Sequence, residues 1–224
     1  ITDALEADKV AGGGVFVHFD NISGKKAEVY VDTEVHNSGK RTRTVAVETV
    51  LADAGDVPVK RVSQQVKLQA GESKTVRQRF AVRNPKLWSP DSPYLYRIQS
   101  RVKAGHEVLD GGVTRVGIRK AEFKGKDGFW LNGKPFGQLV GANRHQDFAY
   151  VGNALPNSQQ WRDAKRLRDA GCTIIRVAHY PQDPAFMDAC DEMGLFVIVA
   201  TPGWQYWNKN PEFAKLVHRN TREM

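Results

Sequence analysis

The apolar residues of this chain change period near Lys120, and that change limits it to two differently built parts. From Val15 to Ile118 they fall on alternate positions, the signature of half-buried strands. Val29, Val31, Thr33 and Val35 share one face, and Glu28, Tyr30, Asp32 and Glu34 share the other. Val45, Val47, Thr49 and Leu51 repeat the scheme, followed by Val66 with Leu68, Val76 with Phe80, and Tyr96 with Ile98 and Val102. Turn clusters at Asn37-Ser-Gly39, Asp53-Ala-Gly-Asp56, Ala70-Gly-Glu72 and Pro90-Asp-Ser-Pro93 separate these runs. About seven strands in roughly a hundred residues, with no helical run, predict an immunoglobulin-like β-sandwich over residues 1–119. No cysteine pair is available to pin the two sheets, so apolar burial of their inner faces is expected to hold them together.

Beyond Lys120 the pattern alternates between strand and helix. Phe129-Trp-Leu131 and Lys134-Pro-Phe136 flank Asn132-Gly133, which reads as a tight hairpin. Gln138–Asn143 predicts a strand. Trp161, Ala164, Leu167 and Ala170 stand at helical spacing within Ser158–Ala170, and Gly171 ends that helix. Ile174–Val177 predicts a second strand. Asp183 as cap and Pro184 at the first helical position begin a helix that Gly194 stops. The unbroken apolar run Leu195–Ala200 is expected to be a strand covered on both faces. A last helix is predicted from Pro211 toward Met224. Residues 120–224 therefore read as the N-terminal part of a (β/α)8 TIM barrel, about three strand-helix units of it. An incomplete barrel leaves open strand edges beside Gln138–Asn143 and Leu195–Ala200, which predicts self-association.

The formal charge of +8 invites a nucleic-acid reading. The cations, however, are spread thinly: Arg41 and Arg43, Lys60-Arg61, Arg77 and Arg79, Arg115, Arg119-Lys120. Most alternate along strands as a solvated face does, with no basic helix or ring-stacking motif, so no nucleic-acid partner is expected. No apolar run is long enough to span a bilayer. The first residues, Ile1-Thr-Asp-Ala-Leu-Glu6, have neither the basic start nor the apolar core of a signal peptide, and the compartment stays open. They also lack an initiator Met, so a piece of a longer chain is expected. Cys172 and Cys190 lie in or beside apolar segments and are expected to be buried free thiols.

The run Thr173-Ile-Ile-Arg-Val-Ala-His-Tyr-Pro181 ends a buried strand in polar and aromatic groups, where barrel enzymes keep their sites. With Phe186-Met187, Asp191, Gly194 and Leu195–Ile198, it resembles the first signature of glycoside hydrolase family 2, the β-galactosidase and β-glucuronidase family. Arg176 and His179-Tyr180-Pro181 fall at the spacing of that signature. Thr173 stands where Asn is usual, and Val177 where a small polar residue is usual. Pro85-Lys-Leu-Trp-Ser-Pro90 is similar to a turn late in the family's sandwich, and Leu87 and Trp88 are expected to plug one end of it. The hairpin at Asn132-Gly133 resembles the one that closes the bottom of the family's barrel. Asn143-Arg-His-Gln-Asp147 resembles the sequence after the family's first barrel strand.

The resemblance implies roles for particular residues. His145 and Asp147, with Asn143 beside them, would grip hydroxyls of the sugar in the cleaved position, since those hydroxyls both donate and accept. His179 would reach another hydroxyl, and Tyr180-Pro181 would shape the turn. Arg176 would orient a nucleophilic glutamate and keep it ionised. Trp204 or Trp207 would offer an apolar face to a pyranose ring. Ala200-Thr201-Pro202 replaces the Asp-Glu pair common after the family's third strand, so no metal and no cofactor are expected. Both catalytic carboxyl groups are expected outside the chain, which contains no Asn-Glu dipeptide. The resulting reading is a fragment of a retaining β-glycosidase acting on carbohydrate, most similar to β-galactosidases and inactive alone. A β-glucuronidase-like parent is the alternative within the class, because Asp147 after His145 suits that branch too. A non-catalytic carbohydrate- or protein-binding module is the alternative outside it.

Overall fold

A computed structural model describes residues 14–223, apart from the side chains of Trp204 and Glu223. The chain divides into two compact units. Of the described residues, one holds 14–87 and Tyr94–Lys120; the other holds Trp88–Pro93 and 121–223.

The first unit is all antiparallel strand: β1 (Val15–Asp20), β2 (Lys26–His36), β3 (Arg43–Ala52), β4 (Pro58–Leu68), β5 (Ser73–Arg83), β6 (Tyr96–Ala104) and β7 (Glu107–Val116). They form two sheets, ordered β1-β2-β5 and β4-β3-β6-β7, the layers of a sandwich. The period-two pattern sets the inner faces. Ala27, Val29, Val31 and Val35 of β2 are buried, as are Val76, Phe80 and Val82 of β5 and Ile98 and Val102 of β6. Apolar burial is not the whole of the pinning. Thr49 on β3 donates its hydroxyl to Gln78 Oε1 on β5 at 2.5 Å, and Gln78 Nε2 donates to the Val47 carbonyl at 2.9 Å. This buried polar link between the sheets corrects the expectation of a purely apolar interior. It survives burial because each group finds a partner.

The outer faces carry the cations in cross-strand pairs. Arg77 forks onto Asp32, with Nε and Nη2 at 2.7 and 2.6 Å. Glu28 accepts from Lys26 Nζ at 2.8 Å, Arg79 Nη2 at 2.6 Å and Asn21 Nδ2 at 3.2 Å. Those donors, Lys26 and Arg79 foremost, hold the Glu28 carboxyl down at about 2.

The second unit opens with a three-stranded antiparallel sheet: β8 (Ala121–Phe123), β9 (Phe129–Leu131) and β10 (Lys134–Gly137). Asn132 and Gly133 turn the hairpin with φ of 53° and 80°, the left-handed pair that such a turn requires. Then strands and helices alternate: β11 (Gly141–Arg144), α1 (Asn157–Asp169), β12 (Ile174–Val177), α2 (Pro184–Met193), β13 (Phe196–Val199) and α3 (Pro211–Glu223). The strands pair in parallel in the order β11-β12-β13, the start of a barrel that does not close among the described residues. Asp183 Oδ1 accepts from the Ala185 N–H at 2.8 Å and caps α2, and Gly194 ends that helix with φ 75°. Ile175, Val177, Phe186, Ala189, Cys190 and Leu195 form the core between sheet and helices. Burial pushes the Cys190 thiol up to about 12, whereas Cys172 is only half-buried.

Three further expectations need correction. The first parallel strand is Gly141–Arg144, not Gln138–Asn143. β13 is not covered on both faces, since Ile198 is 51% exposed. Its helix-free face lacks the neighbours that a full barrel interior would provide. Trp88 groups with the second unit, not with the sandwich. It is 1% exposed, donates Nε1–H to the Asp191 carbonyl at 2.8 Å, and meets Phe196 edge-on at 5.3 Å. Phe129 and Phe136 complete that aromatic cluster at the amino-terminal end of β13, where a barrel places residues for stability. Leu87, its neighbour in sequence, does pack on the sandwich core.

Candidate functional site

Parallel pairing without slippage lays Asn143, Arg176 and Ile198 side by side, one residue before Arg144, Val177 and Val199. Side chains alternate across a strand, so these two rows face opposite ways. Val177 enters the core under the helices. Asn143, Arg176 and Ile198 instead line, with Gly141, Ala142 and Ile174, an open cleft of about 290 Å³.

The loops leaving β11 and β12 bring the histidines to the same end. His145 and His179 meet edge to face with ring centroids 5.1 Å apart, and Tyr180 stands 6.3 Å from His145. Arg176 reaches both sides: Nη1 lies 3.5 Å from Asn143 Oδ1 and 3.4 Å from His179 Nδ1. These contacts are long, at the limit of hydrogen bonding. Among the described residues no carboxylate pairs with Arg176, which lines the cleft with a planar fork of the kind that can take an anionic group. Asn143, His145 and His179 surround it with groups that donate and accept, the equipment for holding hydroxyls.

The remaining sequence candidates fall as follows. Asp147 is exposed on the loop after His145. Trp204 heads the short 3-10 turn Trp204–Tyr206 after β13, and its side chain lies outside the described residues. Trp207 is 71% exposed and meets Phe213 at 6.3 Å. No group of three metal-ligating side chains occurs among the described residues.

The structure adds residues that motif reading passed over. Arg144, adjacent to Asn143 but of opposite parity, turns away from the cleft and is buried, as is Gln182 just before the cap of α2. Gln146 joins the two loops, accepting from the Asp183 N–H at 2.6 Å, while its own N–H reaches the Tyr180 hydroxyl at 3.4 Å. The available signal was parity: a polar residue at the helix-facing position of a strand must find partners beneath the helices.

A sandwich followed by parallel strands, with polar groups gathered at the strands' carboxyl ends, is the layout of the opening part of a β/α barrel, at the end where such barrels carry their sites. Residues 14–119 match the profile described as "Glycosyl hydrolases family 2", and residues 122–223 that of "Glycosyl hydrolases family 2, TIM barrel domain". The chain belongs to glycoside hydrolase family 2. It is 34% identical over 211 residues to a β-galactosidase of Thermoanaerobacter pseudethanolicus, covering 94% of this chain and 28% of that protein. A solved family 2 member from Bacteroides cellulosilyticus superposes with a TM-score of 0.83 at 33% identity, over 94% of this chain and 28% of that one. A Bacteroides uniformis β-glucuronidase, solved covalently bound to cyclophellitol-6-carboxylate aziridine, gives 0.86 at 29% identity, over 94% of this chain and 25% of that one. The chain thus spans little more than a quarter of the length of these relatives.

Proposed function

We propose that this chain is the sandwich and first barrel segment, with the border near residues 119 and 120, of a retaining β-glycosidase that removes terminal β-linked sugars and is closest in kind to β-galactosidases. The observation carrying the reading is the cluster of Asn143, Arg176, His179 and His145 at the carboxyl ends of β11 and β12. In that reading His145, Asp147, His179, Asn143 and Trp204 contact the sugar. Arg176, lacking a carboxylate partner, receives and orients the nucleophile. A retaining enzyme needs two carboxyl groups about 5–5.5 Å apart, one attacking the anomeric carbon and one serving as acid and then base. The chain has no Asn-Glu dipeptide to supply the acid, so both reagents come from elsewhere in the enzyme and the segment alone does not turn over. The exposed Ile198 and Val199 and the edge of β11 make self-association of the isolated segment the accompanying expectation.

A β-glucuronidase parent is the second reading, supported by the likeness to the Bacteroides uniformis enzyme and by Asp147 after His145. The test compares the intact enzyme on aryl β-galactoside and aryl β-glucuronide, wild type against Arg176→Lys. Galactoside hydrolysis with retained configuration, lost in the variant, supports the first reading; glucuronide preference supports the second. Hydrolysis of neither sinks both.

A further inference from the structure

Resting on the sugar-site reading above, we propose that Arg144 and Gln182 are positioning residues: a buried clamp behind the strands that fixes how His145 and His179 face the cleft. Arg144 is 6% and Gln182 8% exposed, and neither lines the cleft. The clamp is reciprocal. Arg144 Nη1 donates to Gln182 Oε1 at 2.5 Å, and Gln182 Nε2 donates back to the Arg144 carbonyl at 2.6 Å. The same carbonyl accepts from the Ala178 N–H at 3.0 Å. His179, Tyr180 and Pro181 are therefore strung between two points, Ala178 and Gln182, that grip one oxygen on the neighbouring strand.

The other loop is held in the same way. His145 lies between Arg144 and Gln146, whose side chain takes the Asp183 N–H and whose backbone reaches Tyr180. The guanidinium is itself immobilised: Nη2 donates to Gln160 Oε1 at 2.7 Å and Asp163 Oδ2 at 2.9 Å on α1, and its carbon sits 3.9 Å from the centre of the Phe186 ring on α2. One side chain thus references both loops to both helices. Only a group that donates and accepts at once can stand at position 182, which an amide does and a carboxylate or methyl does not. The distance that matters for the sugar, 5.1 Å between the two imidazole rings, is set from behind by residues that never touch it.

The experiment uses the chain carrying isotope-labelled histidine, valine and isoleucine, and reads ring signals, methyl signals and the ring-to-ring nuclear Overhauser effect between His145 and His179. Gln182→Ala is expected to abolish that effect and move both ring signals while the methyl signals of Val177 and Ile175 stay in place. Gln182→Glu keeps the bond to the guanidinium but loses the one to the carbonyl, and is expected to move the rings in a protein whose helices stay packed. It carries the test if the alanine variant fails to fold. Unmoved rings in a folded variant overturn the proposal, and so do core methyl signals that shift as far as the rings, which is the mark of a merely structural role. Titration of the wild type with methyl β-galactoside and methyl β-glucuronide judges the sugar reading separately. Rings that ignore both sugars count against that reading, while the comparison without ligand still decides on the clamp.

Discussion

Two glycines of the second unit end their helices in the same way, and replacing each by alanine separates backbone strain from close approach. Gly171 follows α1 with φ 88°, and Gly194 follows α2 with φ 75°. Each is followed by an N–H bonded to the carbonyl five residues back, Cys172 to Leu167 at 3.1 Å and Leu195 to Cys190 at 2.9 Å. A Cβ on Gly171 meets nothing within 4 Å, so Gly171→Ala costs only the left-handed penalty, about 1 kcal/mol. A Cβ on Gly194 would lie 2.3 Å from the Pro90 carbonyl oxygen and 2.6 Å from its Cα. An ordinary carbon–oxygen contact is about 3.3 Å, so Trp88–Pro93 must retreat by about 1 Å. Overpacking of that kind costs about 1–3 kcal/mol, and the Trp88–Asp191 hydrogen bond adds about 1 kcal/mol if it breaks. Gly194→Ala should therefore destabilise by about 3–5 kcal/mol. The assay is urea unfolding followed by tryptophan emission. Trp88, Trp130, Trp161, Trp204 and Trp207 all belong to the second unit, so the signal ignores the sandwich. With a slope of about 2 kcal/mol per molar urea, the midpoint should fall by about 0.5 M for Gly171→Ala and by about 2 M for Gly194→Ala. Equal shifts would refute the close-approach argument.

The sandwich should lose stability in acid. Glu28 is held at about 2 when folded, below its ordinary value near 4.5, so its contribution is full above that ordinary value and disappears as pH falls toward 2. Circular-dichroism melts from pH 6 to pH 2 check this against Glu28→Gln, which should flatten the profile over that window. Thr49→Val strands the buried Gln78 carbonyl oxygen and should cost about 1–3 kcal/mol in urea unfolding followed by circular dichroism, with Thr49→Val/Gln78→Leu recovering part of it. Under iodoacetamide near pH 8 the native chain should label at Cys172 well before Cys190, whose thiol is buried and held protonated; mass spectrometry of digests reads the site. Sedimentation of the isolated segment should show concentration-dependent association, and a monomer at all concentrations would remove the open-edge reading.

Legibility followed burial. β2, β3, β5 and β6 were plain from period two because one face of each enters the core. Most of β4 was not: Pro58–Leu68 is polar and largely exposed, an edge strand ordered by ten-position pairing with β3 rather than by its own pattern. The limits of α2 were readable because Asp183 and Gly194 have specific backbone tasks. Trp88 was misplaced because a buried aromatic announces that it needs a core without saying which. Its neighbour Leu87 joins one unit while Trp88 itself joins the other. At the cleft, Asn143 and Arg176 were readable one by one from their motifs, and the parallel register of β11 with β12 then sets them side by side. The holding residues were not: parity marks Arg144 as helix-facing only once the strand's limits are known, and the amides of Gln146 and Gln182 read alike whether buried or solvated.

That blind spot bears on what the buried group is for. Taking a guanidinium out of water costs several kcal/mol, and pairing inside the protein returns that cost only when every donor is answered. Arg144 falls short of that standard. Asp163, Gln160 and Gln182 answer its terminal nitrogens, but its Nε is buried without a partner, and so is the amide nitrogen of Gln160. A methionine at 144 would remove the unanswered Nε but not the deficit of Gln160, and it would leave Gln160 Oε1, Gln182 Oε1 and Asp163 Oδ2 without their donor. It would also lack the fork that ties α1 and the loop before α2 to one strand end. The strand therefore divides its last two polar positions by parity, Asn143 facing the cleft and Arg144 facing the helices. The second tolerates an imperfect burial because it fixes the direction in which the neighbouring residues point.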